Sequence, residues 1–236
     1  MIDAPHSTPA VQSPYGAFRR PLQAAALASL ALLTMALTSA HAEPVRILAF
    51  GDSLTAGPGI DAGDSLPAQL KRRLSEDGYN VEVVQAGVSG DTTTTGLARL
   101  DYTLGAGPFD IAVVELGAND MLNGHDPKIT RANLDRILAT LKQKGVRPVL
   151  TAMVSSVNHG QAYKKEFDSV YPDLAAKHEA PLVPFILEGV WGSPALLISD
   201  GVHPNAAGVA KIVKKIAPFV ERTLVSMGAR RTSRAQ

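Results

Sequence analysis

A chain of 236 residues, 45% hydrophobic and 19% charged, is long and apolar enough for one domain with a sizeable core, and its composition is not that of a disordered segment. A formal net charge of +1, from 23 basic and 22 acidic residues, argues against nucleic acid as a main partner, because phosphate binding needs a positive excess or a basic stripe. The lack of cysteine excludes thiol nucleophiles, cysteine-based zinc sites, iron–sulfur clusters and disulfides.

At the N-terminus, Arg19 and Arg20 precede an apolar run from Leu22 to Thr38, and Ala40-His41-Ala42 sets small residues at the two positions a signal peptidase reads. The pattern predicts a cleaved secretory signal over residues 1–42 and a single domain over residues 43–236, periplasmic or secreted. A retained anchor is the competing reading, but the run is slightly short for a spanning helix and is diluted by Ala, Ser and Thr, so no stable membrane insertion is expected after cleavage. Twin-arginine export is a weak option, because Pro21 directly follows the arginine pair. The leader holds two Arg and one Asp, so its removal leaves a formally neutral chain. Arg230, Arg231 and Arg234 read as a solvated tail.

Beyond the leader, short β-branched runs alternate with helical patterns. Val45 to Phe50 is the first predicted strand, followed by a helix from Leu66 to Glu76 and a strand from Val81 to Gln85. A helix from Thr95 to Leu104 leads to a strand from Ile111 to Leu116. The next helix, Pro127 to Lys144, carries Ile129, Leu134, Ile137, Leu138 and Leu141 at three-and-four spacing and has Pro127 in its first turn. A strand from Val146 to Ala152, a helix from Gln161 to His178, a strand from Pro181 to Phe185 and a helix from Ala206 to Leu224 complete the chain. Near-continuous apolar strands are the kind buried on both faces, so the alternation predicts a parallel sheet covered by helices on both sides. In such sheets ligands bind beyond the carboxyl ends of the strands, and Gly51-Asp-Ser53 and Gly117-Ala-Asn-Asp120 both lie there.

Gly51-Asp-Ser53 suits a helix cap, and equally a nucleophile turn. A serine hydroxyl needs a base, and a histidine base works best when a carboxylate fixes its tautomer. Of the six histidines, His6 and His41 fall in the leader, His178 ends a helix among charges and is expected to be solvated, and His125 and His159 lie in loops whose only nearby carboxylate is Asp126. His203 differs: in Ser199-Asp-Gly-Val-His-Pro204, Asp200 stands three residues before it, so one turn can hold both orienter and base. Taken alone, Asp200 also reads as an N-cap beside an incidental surface histidine. Donors for an acyl-transfer oxyanion are the backbone N–H groups of Ser53 and Gly90 and the side-chain amide of Asn119, each of which has a plain reading as turn or cap.

Gly51-Asp-Ser-Leu54, Gly90, Gly117-Ala-Asn-Asp120 and Asp200-Gly-Val-His-Pro204 occur in the order of the four blocks of the GDSL or SGNH hydrolases, which the chain resembles from Val45 to Leu224. The resemblance implies a flavodoxin-like three-layer α/β/α sandwich with a parallel sheet of about five strands and no metal or cofactor. It makes Ser53 the nucleophile, His203 the base, Asp200 its orienter, and Ser53, Gly90 and Asn119 the oxyanion donors. Unlike an α/β-hydrolase, the chain lacks the second glycine of the G-x-S-x-G elbow. Asp52 and Asp120 are expected to fix the loops by hydrogen bonds. Acyl selection is expected at the loops around Thr92 to Thr95 and Val154 to His159, with Thr92, Thr94, Ser155, Ser156 and Asn158 as substrate-binding residues of a shallow, adaptable site. Relatives often carry a proline in the loop that here reads Val154-Ser-Ser-Val157, so acyl-chain preference does not carry over. The expected substrates are acyl esters, aryl esters among them, acyl thioesters and lysophospholipids. Acetylated polysaccharide is the alternative within the superfamily, disfavoured by 5% aromatic content and a single Trp191. A non-catalytic anion-binding module is the alternative outside it, but that leaves Asp200 and His203 without a task. Oligomeric state is not legible.

Overall fold

The computed structural model describes Met1 and residues 43–231; the predicted leader with its Ala40-His41-Ala42 step, and Arg234, lie outside the described residues. Five strands form one parallel sheet in the order β2-β1-β3-β4-β5: β1 Val45–Gly51, β2 Val81–Gly87, β3 Ile111–Glu115, β4 Arg147–Thr151 and β5 Leu182–Val183. Between them run α1 Ser53–Ala56, α2 Leu66–Glu76, α3 Thr93–Leu104, α4 Ala118–Leu122, α5 Pro127–Gln143 and α6 Gln161–His178, and α7 Ala206–Ser226 closes the domain. Helices α2 and α7 pack together on one side of the sheet, while α3, α5 and α6 pack in sequence on the other, giving three layers. Ile47, Leu48, Phe50, Ile111, Val114, Val149 and Leu150 are fully enclosed, as strands covered on both faces require. No described helix is long and apolar enough to cross a membrane.

The strand order reverses direction between β1 and β3, where an open α/β sheet forms its ligand crevice. Gly51 pairs with Gly87 of β2 and with Glu115 of β3, so three motif-bearing loops leave the sheet at one level. Most predicted elements differ at one or both ends by one or two residues, and three of the differences have plain local reasons. The last strand holds only Leu182 and Val183, because Pro184 has no N–H to continue a ladder. Helix α3 begins at Thr93 rather than Thr95, because Thr92 and Thr95 form a reciprocal capping box. The stretch Gly117-Ala-Asn-Asp120, read as a loop, winds into the short α4 after Gly117 takes a left-handed φ of 114°, where a side chain would strike the Tyr171 hydroxyl.

Candidate active site

Strand β1 delivers its last residue, Gly51, onto the edge of β3. A Cβ at Gly51 would sit 2.6 Å from Glu115 Oε2 and closer still to Thr55 Oγ1, so only glycine fits there. Asp52 caps α1, its Oδ1 accepting the Leu54 N–H at 3.0 Å, and the Gly57 N–H closes the turn on the Ser53 carbonyl at 2.9 Å. The Gly51 carbonyl accepts the Val88 N–H at 3.0 Å and Arg99 Nη2 at 3.1 Å, which ties the Ser53 turn to the loop after β2. Ser53 is thus presented on a short helix whose base is bonded from two other strand ends.

His203 comes from the segment before α7, closed by the Ile198 N–H on the His203 carbonyl at 2.9 Å and by a bridge between Leu197 and Pro204. Within it, Asp200 Oδ1 accepts the N–H groups of Val202 and His203 at 2.8 and 3.0 Å, and Oδ2 lies 2.6 Å from His203 Nδ1. The His203 ring, and then the two backbone N–H groups, hold the Asp200 carboxyl down at about 2. An ionised Asp200 accepts the hydrogen bond of an Nδ1–H, and that tautomer leaves Nε2 as an acceptor, 3.0 Å from Ser53 Oγ.

Across the crevice, the Asn119 amide donates to Asp52 Oδ2 at 3.2 Å and to the Asp91 carbonyl at 2.8 Å. Gly90 holds a φ of 86° in the exposed turn closed by the Asp91 N–H on the Val88 carbonyl. Asp120, fully buried, accepts the Thr93 N–H at 2.7 Å and the hydroxyls of Thr93 and Thr130, pinning α4 to the start of α3. Burial raises the Asp52 carboxyl to about 6 and pushes Glu115 well above the ordinary carboxylate range, the adjacent Asp52 charge adding to the second shift. Glu115 was hidden in an apolar strand pattern; a lone carboxyl within Ile111–Leu116 was the available signal.

Ser53, Asn119 and His203 line a cavity of about 360 Å³, within the range of small-molecule sites. Ser155 and Ser156 border it, whereas Thr92, Thr94 and Asn158 do not: Thr92 caps α3, Thr94 accepts from Asn133 Nδ2 at 2.9 Å, and Asn158 lies in a 3-10 turn capped by Ser156. The walls are not the polar surface expected. Met121, Leu122, Met153, Phe185, Leu187 and Trp191 supply most of them, residues that α4 and the segments after β4 and β5 bring together and that no single motif marks. His178 also departs from expectation: it is buried, with Nε2 2.6 Å from Asp135 Oδ1, because α5 and α6 pack side by side. Among the described residues no group of three or more His, Asp and Glu is placed to hold a metal ion.

Residues 49–211 match the model of the GDSL-like Lipase/Acylhydrolase family. The chain is 37% identical over 194 residues to a protein of Vibrio mimicus named arylesterase, covering 82% of this chain and 95% of that one. It is 37% identical over 174 residues to the thioesterase 1/protease 1/lysophospholipase L1 of Escherichia coli K12, covering 74% and 82% of the two chains. The crystal structure of AlinE4, described as an SGNH-hydrolase family esterase, superposes with a TM-score of 0.65 at 45% identity, covering 77% of this chain and 97% of that one.

Proposed function

From the premise that the chain belongs to the GDSL-like lipase/acylhydrolase family, we propose that it is an exported serine esterase that hydrolyses short to medium acyl esters through an acyl-enzyme at Ser53. Aryl esters, acyl thioesters and lysophospholipids fall within its range, in keeping with the names of its relatives. The single observation that carries this reading is the line Asp200 Oδ2, His203 Nδ1, His203 Nε2, Ser53 Oγ, with gaps of 2.6 and 3.0 Å, ending in the wall of an apolar cavity.

His203 Nε2 takes the Ser53 proton as Oγ attacks the acyl carbonyl, and Asp200 steadies the imidazolium that results. The oxyanion draws on the N–H groups of Ser53 and Gly90 and on the Asn119 amide. The imidazolium then protonates the departing oxygen or sulfur; phenolate and thiolate need little of that help, so aryl esters and thioesters react readily. Water repeats the sequence on the acyl-enzyme. The acyl chain lies along Met121, Met153, Phe185 and Leu187, walls that favour a hydrocarbon over a sugar ring. Asp200, held down at about 2, stays ionised throughout the working pH range and so keeps the His203 ring oriented. Residues 1–42 act as the export signal, and sequencing the exported protein from its N-terminus is expected to begin near Glu43.

A fluorophosphonate is expected to label Ser53 in the wild type and not in Ser53→Ala. A panel of aryl esters from acetate to palmitate, acyl-CoA, lysophospholipid and acetylated xylan, with and without EDTA, completes the test. Loss of turnover in EDTA, or a preference for xylan acetate, overturns the reading.

A further inference from the structure

The hydrolytic steps above use neither Asp52 nor Glu115, yet both carboxyls are fully enclosed directly beneath Ser53. Glu115 Oε2 accepts the Thr55 hydroxyl at 2.9 Å and the Asp52 N–H at 3.3 Å, which sets the Glu115 carboxyl beside the Asp52 side chain. Its Oε1 is the one buried side-chain oxygen or nitrogen without a hydrogen-bond partner among the described residues. Every partner of Glu115 is neutral or acidic. An ionised Glu115 would therefore press a bare, buried negative oxygen against a second carboxylate, whereas an unionised one turns the same contact into a hydrogen bond. The Asp52 carboxylate has its Oδ1 committed to the Leu54 N–H and its Oδ2 on the Asn119 amide at 3.2 Å, which is long for a bond to a full carboxylate.

We propose that Glu115 is kept as the neutral acid, donates its proton in a hydrogen bond to Asp52, and so acts as a positioning residue that loosens the hold of Asp52 on Asn119, freeing that amide N–H for the oxyanion. This rests on the reading of Ser53 as nucleophile and Asn119 as oxyanion donor. Burial and the neighbouring Asp52 act in the same direction, pushing Glu115 well above the carboxylate range while Asp52, raised to about 6, remains the charged member at neutral pH. With the proton in place, part of the Asp52 charge goes to Glu115 and less is left to grip Asn119.

The infrared spectrum of the purified wild type at neutral pH is expected to show the carbonyl band of an unionised carboxylic acid, shifted in heavy water and absent in Glu115→Gln. Glu115→Leu, which fills the volume but donates nothing, should lower kcat on an aryl ester roughly tenfold to a hundredfold with KM held within about threefold. Glu115→Gln, whose amide can donate as the acid does, should recover most of that loss. The idea fails if the band is missing, if Glu115→Gln is as slow as Glu115→Leu, if Glu115→Leu keeps its kcat, or if kcat and KM move together in step with the folded fraction. Fluorophosphonate labelling of the wild type separates the two layers. An unlabelled Ser53 fails the esterase reading and the Asn119 role with it, whereas a missing band beside a labelled Ser53 fails the Glu115 assignment alone.

Discussion

Asp52 and Asp200 stand on opposite sides of the Ser53–His203 contact and are displaced in opposite directions. Asp52 is sealed against Glu115 and rises to about 6, whereas Asp200 is substantially exposed, is wrapped by two backbone N–H groups and an imidazole, and falls to about 2. The nucleophile side is built from distant segments: Asp52 meets Glu115 and Asn119, and Arg99 reaches from α3 to the Gly51 carbonyl. The base side is built from four consecutive residues, Asp200 to His203, closed on themselves. The contrast suits the two tasks. A nucleophile and its oxyanion donors must be fixed before charge develops, and the fully buried Asp52, Glu115 and Asp120 beneath Ser53 and Asn119 supply that rigidity. The base must shuttle a proton past solvent, and a short self-bonded turn orients it without burying it.

The sharpest way to break this comparison is to remove the two atoms where its halves meet. Ser53→Ala and His203→Ala should each lower kcat by about 10⁴-fold or more, and the double variant should lose little beyond the worse single one, because the members act as a unit. Steady-state kinetics on an aryl ester check this, and additive losses would mean separate roles. On the Asp52 side, Asn119→Ala should cost roughly a hundredfold in kcat with a smaller change in KM, as the proposed oxyanion role of its amide requires. An unchanged kcat would leave Asn119 as a brace between Asp52 and the Asp91 carbonyl and nothing more.

The same division explains what the sequence could and could not disclose. The base turn is local, so a three-residue spacing already set Asp200 beside His203, though that spacing suits a helix cap equally well. Ser53 and Asn119 could be placed where a parallel sheet opens, and the roles of all four came from the resemblance to the GDSL or SGNH hydrolases. Glu115 was not, because its partner Asp52 is 63 positions away and only the pairing of β1 with β3 brings them together. Nor were the cavity walls: Phe185, Leu187 and Trp191 follow a strand that Pro184 cuts short, and nothing in their spacing points inward. Thr92 and Thr94 misled for the opposite reason, since hydroxyls that resemble substrate contacts are consumed in capping α3 and in bonding Asn133.

Acid–base linkage sharpens the comparison further. A group whose folded pKa is raised binds its proton more tightly in the folded state, so the stability it contributes is full below the unfolded value and declines as pH rises through the folded one. For Asp52 that window runs from 3.8 to about 6. The stability of the wild type relative to Asp52→Asn should therefore fall between pH 4 and pH 7, by about 3 kcal/mol at most, since one unit is worth ~1.4 kcal/mol. Urea denaturation of both proteins at the two pH values isolates the effect, because hydrogen bonds lost in the variant cancel in the difference. Glu115, raised further still, contributes a slope of the same sign above its unfolded value of 4.5, and that slope cancels in the comparison because Glu115 is present in both proteins. A flat difference would mean that Asp52 ionises as an exposed aspartate does. Asp200, depressed instead of raised, gives up its contribution as pH falls from 3.8 through about 2, below that window.

The smallest expected effect lies at the rim of the cavity, where neither half of the catalytic apparatus reaches. Trp191 borders the cavity yet is 54% exposed, so it can cover only that part of an acyl chain which extends beyond the inner walls at Met153 and Phe185. Acetate is too short to meet it. A chain of eight carbons leaves two or three methylenes under the indole, each worth about 0.8 kcal/mol when buried, of which solvent exposure at the rim removes a share. Trp191→Ala should therefore raise KM for an octanoyl aryl ester roughly tenfold and leave the acetyl ester within about twofold, with kcat nearly constant for both, since contacts made equally in ground and transition states act on KM. Measuring both constants along the series from acetate to decanoate places the onset of the effect at the chain length that first touches Trp191. An equal loss on acetate and octanoate would show instead that Trp191 shapes the reacting centre through Val202 and His203, and would move it from the acyl wall to the exposed half of the site.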